Sequence, residues 1–271
     1  MREKDAEDAL TELSYLDNSD KKTRKRISKN VRETANEDPA ALLGEVPLIE
    51  PHLDDPSAKV RENLLVALGK IAREYPEEVR PVVPKIEDLA VADTGDGRED
   101  GKSNVFEAQF ALGMVAKEYP NVAAENISRF AEATETDNRY VSNNAMALLG
   151  DLADEYRDEV AEHLPRAMEE LDADDDRMRC NALLVVTRTA KEYPERVNSE
   201  VGVDEIVGML DASELERTRE HACWALLYLG ERATEAVPRL EEIAEFAPSE
   251  RVREVAEMAL EEIEDDRDWR V

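Results

Sequence analysis

Apolar residues recur along this chain at helical spacing, and the helical pattern itself repeats. In VRENLLVALGKIAREYP, Val60 to Pro76, they fall at Val60, Leu64, Ala67, Leu68 and Ile71, the positions i, i+4, i+7, i+8 and i+11 of one helix face. Proline after tyrosine ends the run, because it cannot continue an i→i−4 ladder. NVFEAQFALGMVAKEYP from Asn104, VSNNAMALLGDLADEYR from Val141 and MRCNALLVVTRTAKEYP from Met178 align with it without a gap. One column then reads Gly69, Gly113, Gly150 and Thr187, at intervals of 44, 37 and 37 residues, and another Tyr75, Tyr119, Tyr156 and Tyr193. Weaker copies are ISKNVRETAN from Ile27, HACWALLYLG from His221 and VREVAEMALE from Val252.

After each such helix comes a second amphipathic segment, such as EEVRPVVPKIEDLA or DEVAEHLPRAMEELD. Pro84 and Pro165 stand near its first turn, where a missing N–H costs little. Acidic turns such as LDDPS and LDADDD close each pair. One helix pair cannot bury its own apolar stripe, so neighbours must stack. The pattern predicts an all-α fold, a right-handed α-α solenoid of about six helix pairs over residues 20–248. A helix within 1–19 (Ala6, Ala9, Leu10, Leu13 and Leu16 on one face) caps the start. A helix and acidic tail over 249–271 cap the end, all in a single domain of 1–271. Sustained strand-like alternation is absent.

The order Asp, Val-Arg, Ala-Leu-x-x-Leu-Gly, then a second helix bearing Val-Pro-x-Leu/Ile, resembles HEAT repeats, including the PBS-lyase-like branch. DDPSAKVRENLLVALG and AVPRLEEIA match best, and the resemblance covers about nine tenths of the chain. It departs at Thr187, where glycine is expected, at Asn104 and His221, where an aliphatic is expected, and in the loop ADTGDGREDGKSN. The resemblance implies scaffolding, with second helices lining a concave surface. It names no partner. It also implies an alternative, a lyase-like enzyme or the regulatory subunit of an enzyme complex.

Composition changes this picture in three ways. Aromatics make up 5% of the residues against 42% hydrophobic, so Ala, Leu and Val fill the core. The 65 acids outnumber the 35 bases, for a formal charge of −30, and the acids are spread through every segment while lysine is scarce. That distribution fits a halophile's hydrated surface better than an acidic face aimed at one basic partner, and it speaks to solubility rather than fold. Two cysteines far apart, Cys180 and Cys223, argue against a disulfide framework or zinc site and fit a reducing cytoplasm. MREKDAEDAL has no apolar signal core, and no apolar run reaches membrane-spanning length.

Catalytic and cofactor chemistry finds no ligand set. His52, His163 and His221 form no His-x-x-x-His and no His-Glu step, the pairing through which some HEAT-repeat enzymes hold iron. GDGREDGKS lacks the phosphate-loop spacing, and there is no nucleophile elbow. From Asp96, the loop in 93–104 sets Asp96, Asp100, Gly101 and Glu107 at positions 1, 5, 6 and 12 of a calcium loop. Arg98 stands where an oxygen ligand is needed, so the reading is a contact loop without a cation. No cofactor and no metal are expected, and the chain reads as noncatalytic.

Repeated polar columns read as structural. Each tyrosine covers the junction between its helices, rather than forming a peptide-binding ladder. Asn30, Asn63, Asn144 and Asn181 lie beside the buried stripe and would bond a neighbouring repeat. Arg61, Arg179 and Arg253, the first two preceded by Asp55 and Asp174, suggest a repeat-to-repeat ion-pair ladder. Trp269 in the acidic tail would fold back over the last helix.

One segment opposes the overall charge. KKTRKRISKNVR, Lys21 to Arg32, holds seven bases and no acid. On a helical wheel Ile27, Val31 and Thr34 share one side. Lys21, Lys22, Lys25, Arg26, Lys29 and Arg32 cover the opposite arc, with Arg24 at its edge. Two accounts stand: ion pairs to the acids of MREKDAEDALTEL, or a docking patch for an acidic protein. The absence of interleaved aromatics, the acidity of the rest of the chain and salt screening argue against nucleic acid.

Overall fold

The computed structural model describes residues 13–17, 20–91, 104–212 and 215–268, and among them there are helices and turns but no strand. The chain divides into two compact units, Met1–Leu148 and Leu149–Val271.

The first unit begins, after Leu13 and Leu16 (each 1% exposed), with α1, Lys21–Glu37. Asp20 caps it, its carboxylate accepting from the N–H groups of Lys22 and Thr23 at 2.8 and 3.2 Å. There follow α2 (Val46–Ile49), α3 (Ala58–Glu74), α4 (Pro76–Val79), α5 (Val83–Ala90), α6 (Val105–Ala116), α7 (Ile127–Ala133) and α8 (Arg139–Leu152), in which the division falls. The first helices of successive repeats, α1, α3 and α6, pack in order, and α5 lies against α6. Val60, Leu64, Ala67, Leu68 and Ile71 are all fully buried, so the predicted stripe is the core. Each leucine or isoleucine so buried contributes about 1.5–3 kcal/mol before the ordering entropy is counted.

The second amphipathic segment is not one helix. After α3 the chain makes the single turn α4, a tight turn over Arg80–Val82, and only then α5. Prolines account for the break, since each lacks a donor and clashes with the preceding turn. Pro47 and Pro84 accordingly sit in the first turn of α2 and α5, and Pro165 and Pro238 do the same in the second unit.

That unit contains α9 (Arg157–Ala161), α10 (Leu164–Glu169), α11 (Asp176–Glu192), α12 (Pro194–Glu200), α13 (Val203–Ala212), α14 (Glu216–Leu229), α15 (Val237–Phe246) and α16 (Glu250–Asp268). Its long helices α11, α14 and α16 pack in succession. Trp269 and the calcium-loop positions from Asp96 to Gly101 lie outside the described residues, as do most of the leading-helix positions.

Close approach explains Gly69 and Gly150 but not Gly113, where a Cβ would meet only Leu148, at 3.6 Å. A Cβ on Gly69 would stand 2.6 Å from the Phe110 ring of the next repeat, and one on Gly150 2.7 Å from Leu184. At Thr187 the column changes chemistry: the hydroxyl donates to its own helix at Leu183 O, 2.7 Å, and lies 3.0 Å from His221 O on α14. Asn104, the second departure, accepts from Arg61 Nε at 2.9 Å through its Oδ1. Polar residues have replaced small or aliphatic ones where a polar partner waits in the adjoining helix.

The arginine column differs from the ladder expected. Arg61, Arg179 and Arg253 each donate from an Nη atom to the carbonyl six residues earlier, at Asp55, Ala173 and Ala247, over 2.7, 2.5 and 2.6 Å. Each arginine ties its helix to the turn that precedes it, so the shared contact lies within a repeat. The Asp55 carboxylate goes to Arg24 Nε of the preceding repeat, 2.5 Å away, and Arg179 pairs with Asp176 rather than Asp174. A turn carbonyl lies at fixed distance along the backbone in every repeat, whereas the carboxylates do not recur in phase.

Candidate protein-docking surfaces

The basic face is built by α1. Ile27, Ser28, Val31, Thr34 and Ala35 are buried, which fixes the helix rotation. That rotation turns Lys21, Lys22, Arg26 and Lys29 to solvent and leaves Lys25 and Arg32 half-buried. Arg24, at the edge, is drawn into the inter-repeat pair with Asp55, its Nη2 also 3.4 Å from Asp55 Oδ1. Lys29 reaches Glu33 on its own helix at 3.3 Å. Among the described residues no ion pair engages Lys21, Lys22 or Lys25; the acids of MREKDAEDAL lie outside them. All six positions therefore share one helix, with the cationic arc opposite the buried one.

Two members of the asparagine column bond a neighbouring repeat, as expected. Asn63 donates to Ser28 Oγ at 3.0 Å and Asn144 to Phe106 O at 3.2 Å, in both cases across to the preceding repeat. All four tyrosines are half-buried. Arg80 stacks on the Tyr119 ring at 4.7 Å, and the Tyr193 hydroxyl donates to Asp158, which holds its pKa above the ordinary value.

A second surface escaped the sequence reading. A groove of about 740 Å³ opens where α3, α6 and α8 begin. Phe106 (37% exposed) and Tyr140 (52% exposed) form its aromatic side, edge to face with centroids 5.7 Å apart. Glu62, Glu107 and Asp137 line it as well, and the lining holds, among the described residues, no cation. Arg139 lies just outside, 4.9 Å over the Tyr140 ring, and Lys59 pairs with Glu62. Glu107 is half-buried, and that burial raises its pKa. The Glu62 charge adds to the rise, against a side-chain hydrogen bond from Asn104 and the charge of Lys59. A trace of this surface exists in the sequence: Phe106 stands in the column occupied by Glu62, Asn143 and Cys180 in the other copies, an aromatic off the buried stripe.

In the second unit, Trp224 and Tyr228 stack at 5.8 Å on α14, with Arg251 5.6 Å over the indole. Nearby on the same helix His221 is half-buried. Desolvation, then the Arg217 charge, lowers its pKa to about 4, and its Nε2 accepts from Arg217 Nε at 3.3 Å. Burial likewise pushes the Cys223 thiol up to about 12, leaving it unreactive. No helix among the described residues is long and apolar enough to cross a membrane.

No family model and no curated protein matches the sequence. Solved structures do resemble the fold. A crystallised engineered protein superposes with a TM-score of 0.63 at 17% identity, covering 94% of this chain and 78% of its own. A designed armadillo repeat protein gives 0.51 at 20% identity, covering 94% of this chain and 99% of its own. Another designed armadillo repeat protein, solved in complex with the peptide (KR)4, gives 0.50 at 18% identity over 94% and 98% of the two chains. The chain is similar to these helical-repeat proteins in architecture, and its fold is all-α and repetitive.

Proposed function

We propose that this protein is a noncatalytic interaction scaffold of HEAT-like repeats, and that Lys21, Lys22, Lys25, Arg26, Lys29 and Arg32 dock an acidic protein partner. The observation that carries this reading is a cationic arc held rigidly on one helix of a chain whose formal charge is −30. Self-repulsion in so acidic a molecule favours an even spread of its few lysines, and four of the eleven fall within nine residues. A designed repeat protein of similar architecture carries a bound peptide, which supports a binding role for such stacked helices. The same reading places the protein in a salt-rich cytoplasm, where its carboxylates hold water and bare electrostatics is short-ranged. Docking there needs direct charge-to-charge contact.

The test compares the wild-type chain with a Lys22→Glu, Lys25→Glu, Lys29→Glu variant shown by circular dichroism to be folded. Both are used as bait in high KCl, and binding of any recovered protein is then measured with purified components. Loss of a directly binding acidic partner by the variant supports the proposal. Equal binding by both removes the basic face from it.

A further inference from the structure

The groove at the start of α3, α6 and α8 has the opposite chemistry, and it goes beyond the scaffold reading because it does not involve the basic face. Carboxylates in a helix's first turn are expected for local reasons, since they complement the positive end of the peptide dipoles. Glu107, in the first turn of α6, could be no more than that. Three further observations point outward. Two aromatic side chains stand exposed beside the carboxylates in a chain with few aromatics, and they sit edge to face with neither ring buried. Glu62, Glu107 and Asp137 come from three separate places in the sequence yet line one hollow, with no cation in the lining among the described residues. The ring of Tyr140 already carries one guanidinium, that of Arg139, at 4.9 Å, an instance in this surface of the cation–aromatic pairing that the ring quadrupole favours.

The groove floor is held in place from below. Arg61, fully buried, donates to Asn104, which lines the groove together with Glu107. The Glu107 carboxylate lines the same hollow as the aromatic pair, part-desolvated and near the Glu62 charge. An arriving cation would relieve both penalties.

We propose that this groove binds an arginine side chain presented by an extended segment of a protein partner, the guanidinium lying against Phe106 and Tyr140 and pairing with Glu107. Arginine suits the site better than lysine: its planar, weakly hydrated fork stacks on rings while its edge bonds a carboxylate. A volume of about 740 Å³ admits the side chain together with a few flanking residues.

The probe is acetyl-Gly-Arg-Gly-Arg-Gly-amide, titrated into the full chain labelled with nitrogen-15 and followed by two-dimensional NMR. The KCl used is the lowest that preserves helicity. A matched peptide with citrulline for arginine keeps the shape and removes the charge. Expected are saturable shifts confined to the N-terminal turns of α3 and α6 and to residues 136–141, with the citrulline peptide weaker by about tenfold. Phe106→Ala and Glu107→Gln, each checked for an unchanged spectrum away from the groove, should each weaken binding about threefold or more. Shifts elsewhere, no saturation, or equal binding of the citrulline peptide overturn the proposal. So does tighter peptide binding by Arg98→Gln, which would mean that the chain's own preceding loop occupies the groove. None of these outcomes depends on the basic face, so failure here and failure of the scaffold proposal are separable.

Discussion

Arg61 gives the sharpest test of how the repeats are joined. It is 0% exposed, donates to Asp55 O at 2.7 Å and, through Nε, to Asn104 Oδ1 at 2.9 Å. Arg179 and Arg253 make the same contact to the carbonyl six residues earlier but are only partly buried. The shared bond is thus held constant while burial varies. In Arg61→Ala, two charge-assisted bonds vanish, and Asp55 O and Asn104 lose a buried partner, at about 1–3 kcal/mol for each such loss. The packed aliphatic stem goes as well. A total of about 3–5 kcal/mol is expected, matching what breaking a buried charged network costs elsewhere. Arg179→Ala and Arg253→Ala, where the arginine side chain itself is only part-buried, should cost about 1 kcal/mol each. Because the two units need not unfold together, the assay is regional: hydrogen exchange by mass spectrometry, following α3 and α6 for Arg61 and α11 or α16 for the others. Arg61→Ala should raise exchange in α3 and α6 by two orders of magnitude or more, and the other two variants by about fivefold in their own helices, from the same energies. Equal effects at all three positions would refute the reasoning, because burial would then not be what makes the bond matter.

Three further expectations follow from particular contacts. Gly113→Ala, whose added methyl meets only Leu148 at 3.6 Å, should stabilise by about 0.5–1 kcal/mol, whereas Gly69→Ala, 2.6 Å from the Phe110 ring, should destabilise by about 1 kcal/mol or more; urea melts of the pair decide it. His221 has a folded pKa near 4 against an ordinary 6.5, so the fold favours its neutral form. The resulting stability is intact above pH 6.5 and is lost as pH falls towards 4, by about 2–3 kcal/mol. His221→Gln should therefore show a flatter stability profile between pH 6.5 and 4 than the wild type, and parallel profiles would exclude the effect. With 65 acids against 35 bases, the helices should loosen in dilute buffer and tighten as KCl is added. Unchanged ellipticity and melting temperature across a KCl series would rule that out.

What the sequence determined by itself is whatever depends on neighbours along the chain. The spacing of Val60, Leu64, Ala67, Leu68 and Ile71 specified a buried helix face, and α3 buries all five. Lys21–Arg32 could be divided into inner and outer arcs on a wheel because helical period is a local property. Even the departures at Asn104, Thr187 and His221 were visible as breaks in a column. Their compensation was not. Arg61 meets Asn104 across 43 residues, and Thr187 reaches His221 across 34, through a stacking geometry that no local period encodes. The arginine column was misread for a related reason: a sequence displays carboxylates but not backbone carbonyls, and it is a carbonyl that each of these arginines meets. The groove likewise needs Glu62, Phe106, Glu107 and Tyr140, contributed by three helices, and only their packing brings aromatic faces and carboxylates to one place. Periodicity is set by bonds between near neighbours, whereas a binding surface is set by which repeats stand side by side, so the first is legible in a sequence and the second only in the folded chain.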